Sequence, residues 1–242
     1  METGATRKMF VLEGNIGAGK STLLRILGEH LPIDVVFEPT DKWQKVGAAG
    51  NLLDLFYKDT PRWAYTFQSY AFVSRVQTIL EHQQTHSASM TQVLERSVYC
   101  DRFCFAKNCY EAGLMSGLEW QIYQEWFSWL VENYTQKPKG FIYLKTSPRV
   151  CFDRLVKRSR SEESSIPLDY LVSLHNKHED WLVHGHDVTG YLKDVPVLVL
   201  DCDEEFEMDP VRRAAFVEKV ANFINVVPHQ APISLPTQSA SL

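Results

Sequence analysis

The sequence predicts an α/β fold: a five-stranded parallel sheet flanked by helices on both faces. Three observations carry that expectation. Five short apolar runs, at residues 9–13, 35–38, 93–95, 141–145 and 197–201, read as buried strands. Longer segments with helical spacing separate them, so the connections are crossovers and the strands run parallel. The first run leads into Gly14-Asn15-Ile16-Gly17-Ala18-Gly19-Lys20-Ser21, and Thr22 begins a stretch of helix-like composition.

That glycine stretch reads G-x-x-x-x-G-K-S, a phosphate-binding P-loop, in the strand–loop–helix context the motif requires. Its glycines bring bare backbone close to a phosphate chain, and backbone N–H groups at the helix start face the anion. Lys20 reaches the terminal phosphates, and the Ser21 hydroxyl suits Mg²⁺. The chain is therefore expected to bind a nucleoside triphosphate with Mg²⁺. In parallel sheets ligands collect at the carboxyl ends of the strands. Those ends here carry Gly14, Glu38, Glu95-Arg96 and Asp201.

After Glu38, Pro39 stops the second strand, and 47–50 is a Gly/Ala loop. A short helix is expected over 51–57 and a long one over 61–84, where Gln68, Ala71 and Arg75 share one face. Residues 82–89 are polar and read as a surface loop. A helix follows Ser97. Another covers 119–134, with an aromatic stripe of Trp120, Tyr123, Trp126 and Phe127 that suits core or a subunit interface. Pro148 opens the next helix, which ends in Arg158-Ser159-Arg160-Ser161-Glu162-Glu163, and Pro167 opens one reaching Trp181. Residues 1–227 are expected to form one domain and 228–242, rich in Pro, Gln and Ser, a disordered tail.

Composition bounds the partners. Net charge is −5, which argues against general nucleic-acid binding, and no apolar run approaches a membrane span. The few residues before the first strand leave no room for a secretory signal or transit peptide, so a cytoplasmic location is expected, with a nuclear one also compatible. The five cysteines form no C-x-x-C pair. Cys100 and Cys104 are spaced to share a helix face and, with a His, to hold a metal. A further close ligand pair is missing, and reduced thiols are the preferred reading.

Among P-loop proteins, a GTPase needs a guanine-reading N-K-x-D at a strand end, whereas Asn176-Lys177-His178-Glu179 falls within a predicted helix. Motors and transporters need longer chains. A small metabolite kinase remains. An alcohol acceptor benefits from a positioned base, for which Glu38 is placed, whereas a monophosphate acceptor needs only arginines to hold it. Nucleoside-monophosphate kinase and non-catalytic nucleotide binder stay as alternatives.

The sequence resembles the deoxyribonucleoside kinase family over about residues 8 to 225. The likeness rests on the P-loop, Glu38-Pro39 with Trp43, Phe67-Gln68-Ser69-Tyr70, Glu95-Arg96-Ser97-Val98-Tyr99 with Asp101-Arg102, and the 158–163 segment through Pro167-Leu168. The resemblance implies a homodimer that transfers the γ-phosphoryl of ATP, or another triphosphate, to a deoxynucleoside 5′-hydroxyl. It implies Glu38 as general base, Arg96 beside it, and Arg158 and Arg160 as a lid over the phosphates. Glu95 would hold Mg²⁺ with Ser21, with Asp201 as the rival carboxylate. Arg154, Glu204, Glu205 and Phe206 would flank the donor base. Tyr57 and Glu163 would bind the sugar 3′-hydroxyl. Gln68, Arg75 and Asp101 would read the acceptor base, walled by Trp43, Leu53, Phe67 and Phe105, with Ala71 leaving room for a purine. An ionised Asp101 accepts only, so it favours a base with an exocyclic amine: deoxycytidine or a purine deoxynucleoside over thymidine. The loop over 46–51 is shorter than in deoxycytidine-kinase-type members and lacks their Ser-bearing insert, so phosphorylation there is not expected.

Overall fold

A computed structural model describes residues 8–85, 90–186, 188 and 190–226; the expected tail, 228–242, lies outside the described residues. Strand β1 (Met9–Gly14) is buried along its whole length because it has a neighbour on either side. It pairs in parallel with β3 (Thr91–Glu95), Leu12 opposite Glu95, and with β4 (Gly140–Lys145), Gly14 opposite Leu144. β2 (Ile33–Val36) adds outside β3 and β5 (Val197–Asp201) outside β4. The order β2-β3-β1-β4-β5, parallel throughout, is the five-stranded sheet expected from the sequence.

The second strand is shifted from its expected position. Pairing begins at Ile33 opposite Thr91 and ends at Val36 opposite Leu94, so 37–38 have left the ladder. The reason is electrostatic: the Glu38 carboxylate turns to two guanidinium groups behind the sheet end, described below.

Helix α1 (Lys20–His30) begins at the last loop glycine and packs Leu23, Leu24, Ile26 and Leu27 into the core on one face of the sheet. α2 (Thr40–Gln44) and α3 (Leu52–Lys58) follow β2, with Asn51 capping α3 by accepting from the Asp54 N–H (2.9 Å). α4 (Thr60–Thr85) packs into a second core with Phe67, Ala71, Phe72 and Val76. It extends through part of the stretch expected to be loop. His82 remains helical because its ring meets Asp34 (3.2 Å) and Gln92 (3.1 Å); 86–89 lie outside the described residues.

The helix after Ser97 is not uniform. α5 (Val98–Cys100) gives way to a π-helical stretch, Asp101–Ala106, before α6 (Lys107–Glu111). π segments concentrate at functional sites, and this one carries Asp101 and Phe105. α7 (Gly117–Tyr134) opens with a reciprocal Ser116–Glu119 capping box. Its aromatics divide: Tyr123 and Phe127 are core, while Trp126 and Trp129 are 53% and 48% exposed. α8 (Pro148–Arg158) is followed by a 3₁₀ turn, Ser161–Glu163. α9 (Leu168–His178) continues as a π turn, Glu179–Val183, so helical backbone passes Trp181. α10 (Pro210–Val226) closes the α1 face. No helix among the described residues is long and apolar enough to cross a membrane.

Candidate active site

The loop between β1 and α1 is built as a phosphate cradle. Gly17 has φ 79°, and a Cβ there would lie 2.5 Å from the Cys151 carbonyl oxygen, so only glycine fits. Asn15 supports the loop from behind: its amide donates to Leu171 O (2.8 Å) and its side-chain oxygen accepts from the Ile16 N–H (2.8 Å). Lys20 Nζ donates to Gly14 O (3.1 Å) and Asn15 O (2.8 Å). Burial, and then the Arg96 charge, bring the Lys20 pKa down to about 8, against the opposing pull of Glu38 and Glu95. Ala18, within the loop, is fully buried, and Thr22 follows Ser21 in the first turn of α1.

The Ser21 hydroxyl donates to Glu95 Oε1 at 2.7 Å. Two oxygen donors of the kind Mg²⁺ takes therefore converge at the loop exit. The rival carboxylate is elsewhere: Asp201 is exposed at the end of edge strand β5 and accepts from the Asp203 N–H (3.1 Å).

Glu38 Oε1 accepts from Arg75 Nη2 (2.9 Å) and Arg96 Nε (3.0 Å). Burial alone would raise its pKa, but the charges of Arg96, Arg75 and Lys20 overcome this and hold it at about 2. Arg96 sits at φ 66°, a left-handed conformation costly for a side-chain-bearing residue. Its N–H bonds Leu12 O (2.9 Å) and its Nη1 donates to Gly14 O (3.2 Å), contacts that hold the strained backbone and aim the guanidinium at Glu38.

Arg75 has a second engagement. Its Nε and Nη2 donate to the two oxygens of Asp101 (2.8 and 3.1 Å), and Nη1 donates to Glu95 O (3.3 Å). Both members of the pair are almost fully buried. Burial pushes the Asp101 pKa up, against Arg75. The sequence placed Arg75 with Asp101; the bond joining Arg75 to Glu38 was not foreseen, since 37 positions separate them in the chain.

These groups line one cavity of about 700 Å³, counting its open mouth. All twelve residues assigned to the acceptor line it: Glu38, Trp43, Leu53, Tyr57, Phe67, Gln68, Ala71, Arg75, Arg96, Asp101, Phe105 and Glu163. Ser21, Glu95, Arg158 and Arg160 line it too, together with Thr40 and Phe56, which sequence reasoning missed. Phe56 stacks on Phe67 (4.5 Å) and Trp43 meets Phe67 edge-on (5.5 Å), forming an aromatic wall. Trp43 Nε1 is anchored on Ser74 Oγ (2.8 Å), and Arg96 lies 4.6 Å over the Phe105 ring. Gln68 donates a long bond to Cys109 Sγ (3.9 Å). Burial, and then the neighbouring Glu163 charge, raise the Tyr57 pKa, keeping it a neutral hydroxyl.

On the mouth, Arg158 pairs with Glu163 Oε2 and Arg160 with Glu163 Oε1 (3.0 Å). Neighbouring Glu162 accepts from Gln44 Nε2 (2.8 Å) and Asn51 Nδ2 (2.9 Å), a tether the sequence did not reveal. Along the outer edge, Arg154 Nη2 donates to Asp203 O (3.3 Å) and Glu204 O (3.2 Å). Glu204 pairs with Arg212, and Glu205 accepts from the Glu207 and Met208 N–H groups (2.6 and 2.9 Å). Phe206 is buried, its ring against Gly19 and 5.4 Å from Phe216, so it supports the phosphate loop from below.

Comparison with known proteins adds to this geometry. A family model described as deoxynucleoside kinase matches residues 10–225. Deoxycytidine kinase 2 of Gallus gallus is 41% identical over 240 residues, covering 88% of this chain and 89% of its own. Human deoxycytidine kinase is 38% identical over 246 residues, covering 93% of this chain and 94% of its own. The mitochondrial deoxyguanosine kinase of Xenopus laevis is 36% identical over 241 residues, covering 90% of this chain and 89% of its own.

Proposed function

This chain belongs to the deoxynucleoside kinase family and is a nucleoside phosphotransferase; on that premise we propose that it moves the γ-phosphoryl of ATP, or another triphosphate, onto the 5′-hydroxyl of deoxycytidine or a purine deoxynucleoside. The observation that carries this reading is the Glu38 carboxylate, held by Arg75 and Arg96 in a cavity whose other end is the phosphate loop. Glu38 takes the 5′-hydroxyl proton. A carboxylate at about 2 is ionised at neutral pH but weakly basic. The proton therefore moves late, once the forming P–O bond has made the hydroxyl acidic. Arg96 orients Glu38, and Lys20, Arg158 and Arg160 stand where charge grows on the transferred group.

The Ser21 and Glu95 oxygens would hold Mg²⁺, which would supply positive charge against the charge of the phosphates. Asp101, fixed by Arg75, accepts from an exocyclic amine, and Gln68 supplies a donor and an acceptor to the same base edge. Thymine would set its O4 against Asp101, leaving a buried acceptor unmatched at a cost of about 1–3 kcal/mol. Tyr57 and Glu163 receive the 3′-hydroxyl.

The expected homodimer docks through the face of α4 and α7. Tyr65, Tyr70 and Val73 of the first and Trp126 of the second line a largely apolar groove there. Trp126→Glu should convert a dimer to monomer in sedimentation velocity.

The deciding assay is single-turnover phosphorylation of the four deoxynucleosides by ATP–Mg²⁺. Preference for deoxycytidine or a purine deoxynucleoside supports the reading. A strong preference for thymidine overturns the roles given to Arg75 and Asp101, and activity on monophosphates alone overturns Glu38 as base.

A further inference from the structure

Behind Arg96, three side chains meet that the proposed reaction does not use. Cys100 ends α5, Cys104 lies one turn further in the π stretch, and His178 ends α9; all three are fully buried. Their ligand atoms lie within 4.8 Å of one another, and Cys100 Sγ is 3.4 Å from His178 Nε2. Zinc, with Zn–S near 2.3 Å and Zn–N near 2.0–2.1 Å, sets a sulfur and a nitrogen about 3.5 Å apart, and the cluster supplies three of the four ligands of a tetrahedral site.

The imidazole is also oriented as a ligand. His178 Nδ1 lies 2.7 Å from Leu174 O, a bond that requires the proton on Nδ1. Nε2 is then the ring nitrogen that faces the Cys100 sulfur. An outer hydrogen bond of this kind fixes the tautomer of metal-bound histidines. Tyr143 stacks on the ring (6.0 Å, 5° between planes) and holds its plane. Arg96 Nη1 donates to Cys100 Sγ (3.5 Å), a contact that stabilises thiolate sulfur. Glu13 Oε2, at the end of β1, is buried without a hydrogen-bond partner.

We propose that Cys100, Cys104 and His178 hold one thiophilic divalent ion, Zn²⁺, that staples the π stretch to α9. Two thiolates, a neutral imidazole and a divalent cation sum to zero, the charge state a dry site beside Arg96 accommodates. Binding releases two thiol protons to solvent and changes no oxidation state. The staple spans Asp101 on the π stretch, so it holds a base-reading carboxylate from behind while touching no substrate. The competing arrangement is a Cys100 S–H donating to His178 Nε2 with no ion present.

Because the ligands are buried, the ion enters as the chain folds. The full chain is therefore produced in zinc-supplemented cells for metal analysis by plasma mass spectrometry. Roughly one zinc per chain is expected in the unaltered protein and in Cys202→Ser, a control at a distant buried cysteine, and below about a tenth in Cys104→Ser and His178→Gln. In parallel, unaltered protein refolded from urea with Co²⁺ should show near-ultraviolet thiolate-to-cobalt charge transfer and tetrahedral d–d bands. This arm decides the matter even where a variant fails to fold. Zinc-free protein that refolds without charge transfer overturns the proposal, as does full metal content in Cys104→Ser. Neither readout depends on kinase activity.

Discussion

Arg75→Met would remove the group on which two carboxylates depend. Asp101 accepts from Arg75 through both oxygens and is almost fully buried, while Glu38 keeps Arg96 when Arg75 is gone. The stability loss therefore falls on Asp101. Breaking a buried ion pair by deleting one partner costs about 3–5 kcal/mol. The pH dependence has a definite sign. Burial already raises the Asp101 pKa in the native protein, and loss of Arg75 raises it further. The native variant then retains a proton that the unfolded chain releases above about pH 3.9. The native state binds more protons than the unfolded one, so the stability of the variant falls as pH rises. The deficit in urea unfolding should be larger at pH 8 than at pH 5.5, and adding Asp101→Asn should recover part of it at pH 8. Turnover should drop as well. A hydrogen bond to a charged group is worth about 1.5–3 kcal/mol, so loosening Glu38 should cost about 10- to 150-fold in kcat. An unchanged urea midpoint would refute the reasoning. So would an equal loss at both pH values with no recovery from Asp101→Asn.

Glu38→Gln should lower kcat by about 10²- to 10⁴-fold while leaving triphosphate binding, read by fluorescence titration, near its original strength. Because Glu38 stays ionised down to about pH 2, the pH–rate profile should show no acid limb from it between pH 4 and 6; such a limb that vanishes in Glu38→Gln would contradict the assignment. Lys20, at about 8 in the free site, should become fully charged beside a triphosphate. Calorimetry at pH 8 in buffers of differing ionisation enthalpy should then reveal uptake of about 0.5 proton, falling towards zero at pH 6.5; equal enthalpies in all buffers at pH 8 would exclude this. Gly17→Ala should abolish triphosphate binding, since its Cβ would lie 2.5 Å from Cys151 O and its φ of 79° disfavours any side chain; retained affinity would show that the loop has another conformation.

What could be read in advance was whatever is local. The phosphate loop is one contiguous run with a fixed chemical task, and the five strands are short apolar stretches bounded by turns. Their spatial order was not legible, because β1 takes its central place only through pairings with residues roughly 80 and 130 positions away. The end of β2 was misplaced for a related reason. Val35, Val36 and Phe37 form an apolar run, but the tertiary pull on Glu38 decides where pairing stops. The resemblance supplied the acceptor-side residues, and the cavity gathers all twelve. It did not supply the shared use of Arg75 by Glu38 and Asp101, nor the Glu162 tether to Gln44 and Asn51. Both are side-chain bonds between distant segments, and neither leaves a periodic or motif-like trace. Periodicity also could not separate a π stretch from an α-helix at Asp101–Ala106, since one extra residue in a turn barely alters the apolar spacing.

Arg158 and Arg160 share a single carboxylate, Glu163. On the proposed roles, the two cations belong to the donor and the anion to the acceptor sugar, so each substrate must draw its own partner out of the same small cluster. A triphosphate that attracts the arginines leaves Glu163 free to accept from a 3′-hydroxyl. A nucleoside that engages Glu163 loosens the arginines by the same free energy. Affinities coupled in this way are reciprocal by thermodynamic necessity. The chain would then bind its two substrates synergistically with no movement of the sheet, the cooperativity residing in one three-residue charge cluster at the rim of the cavity.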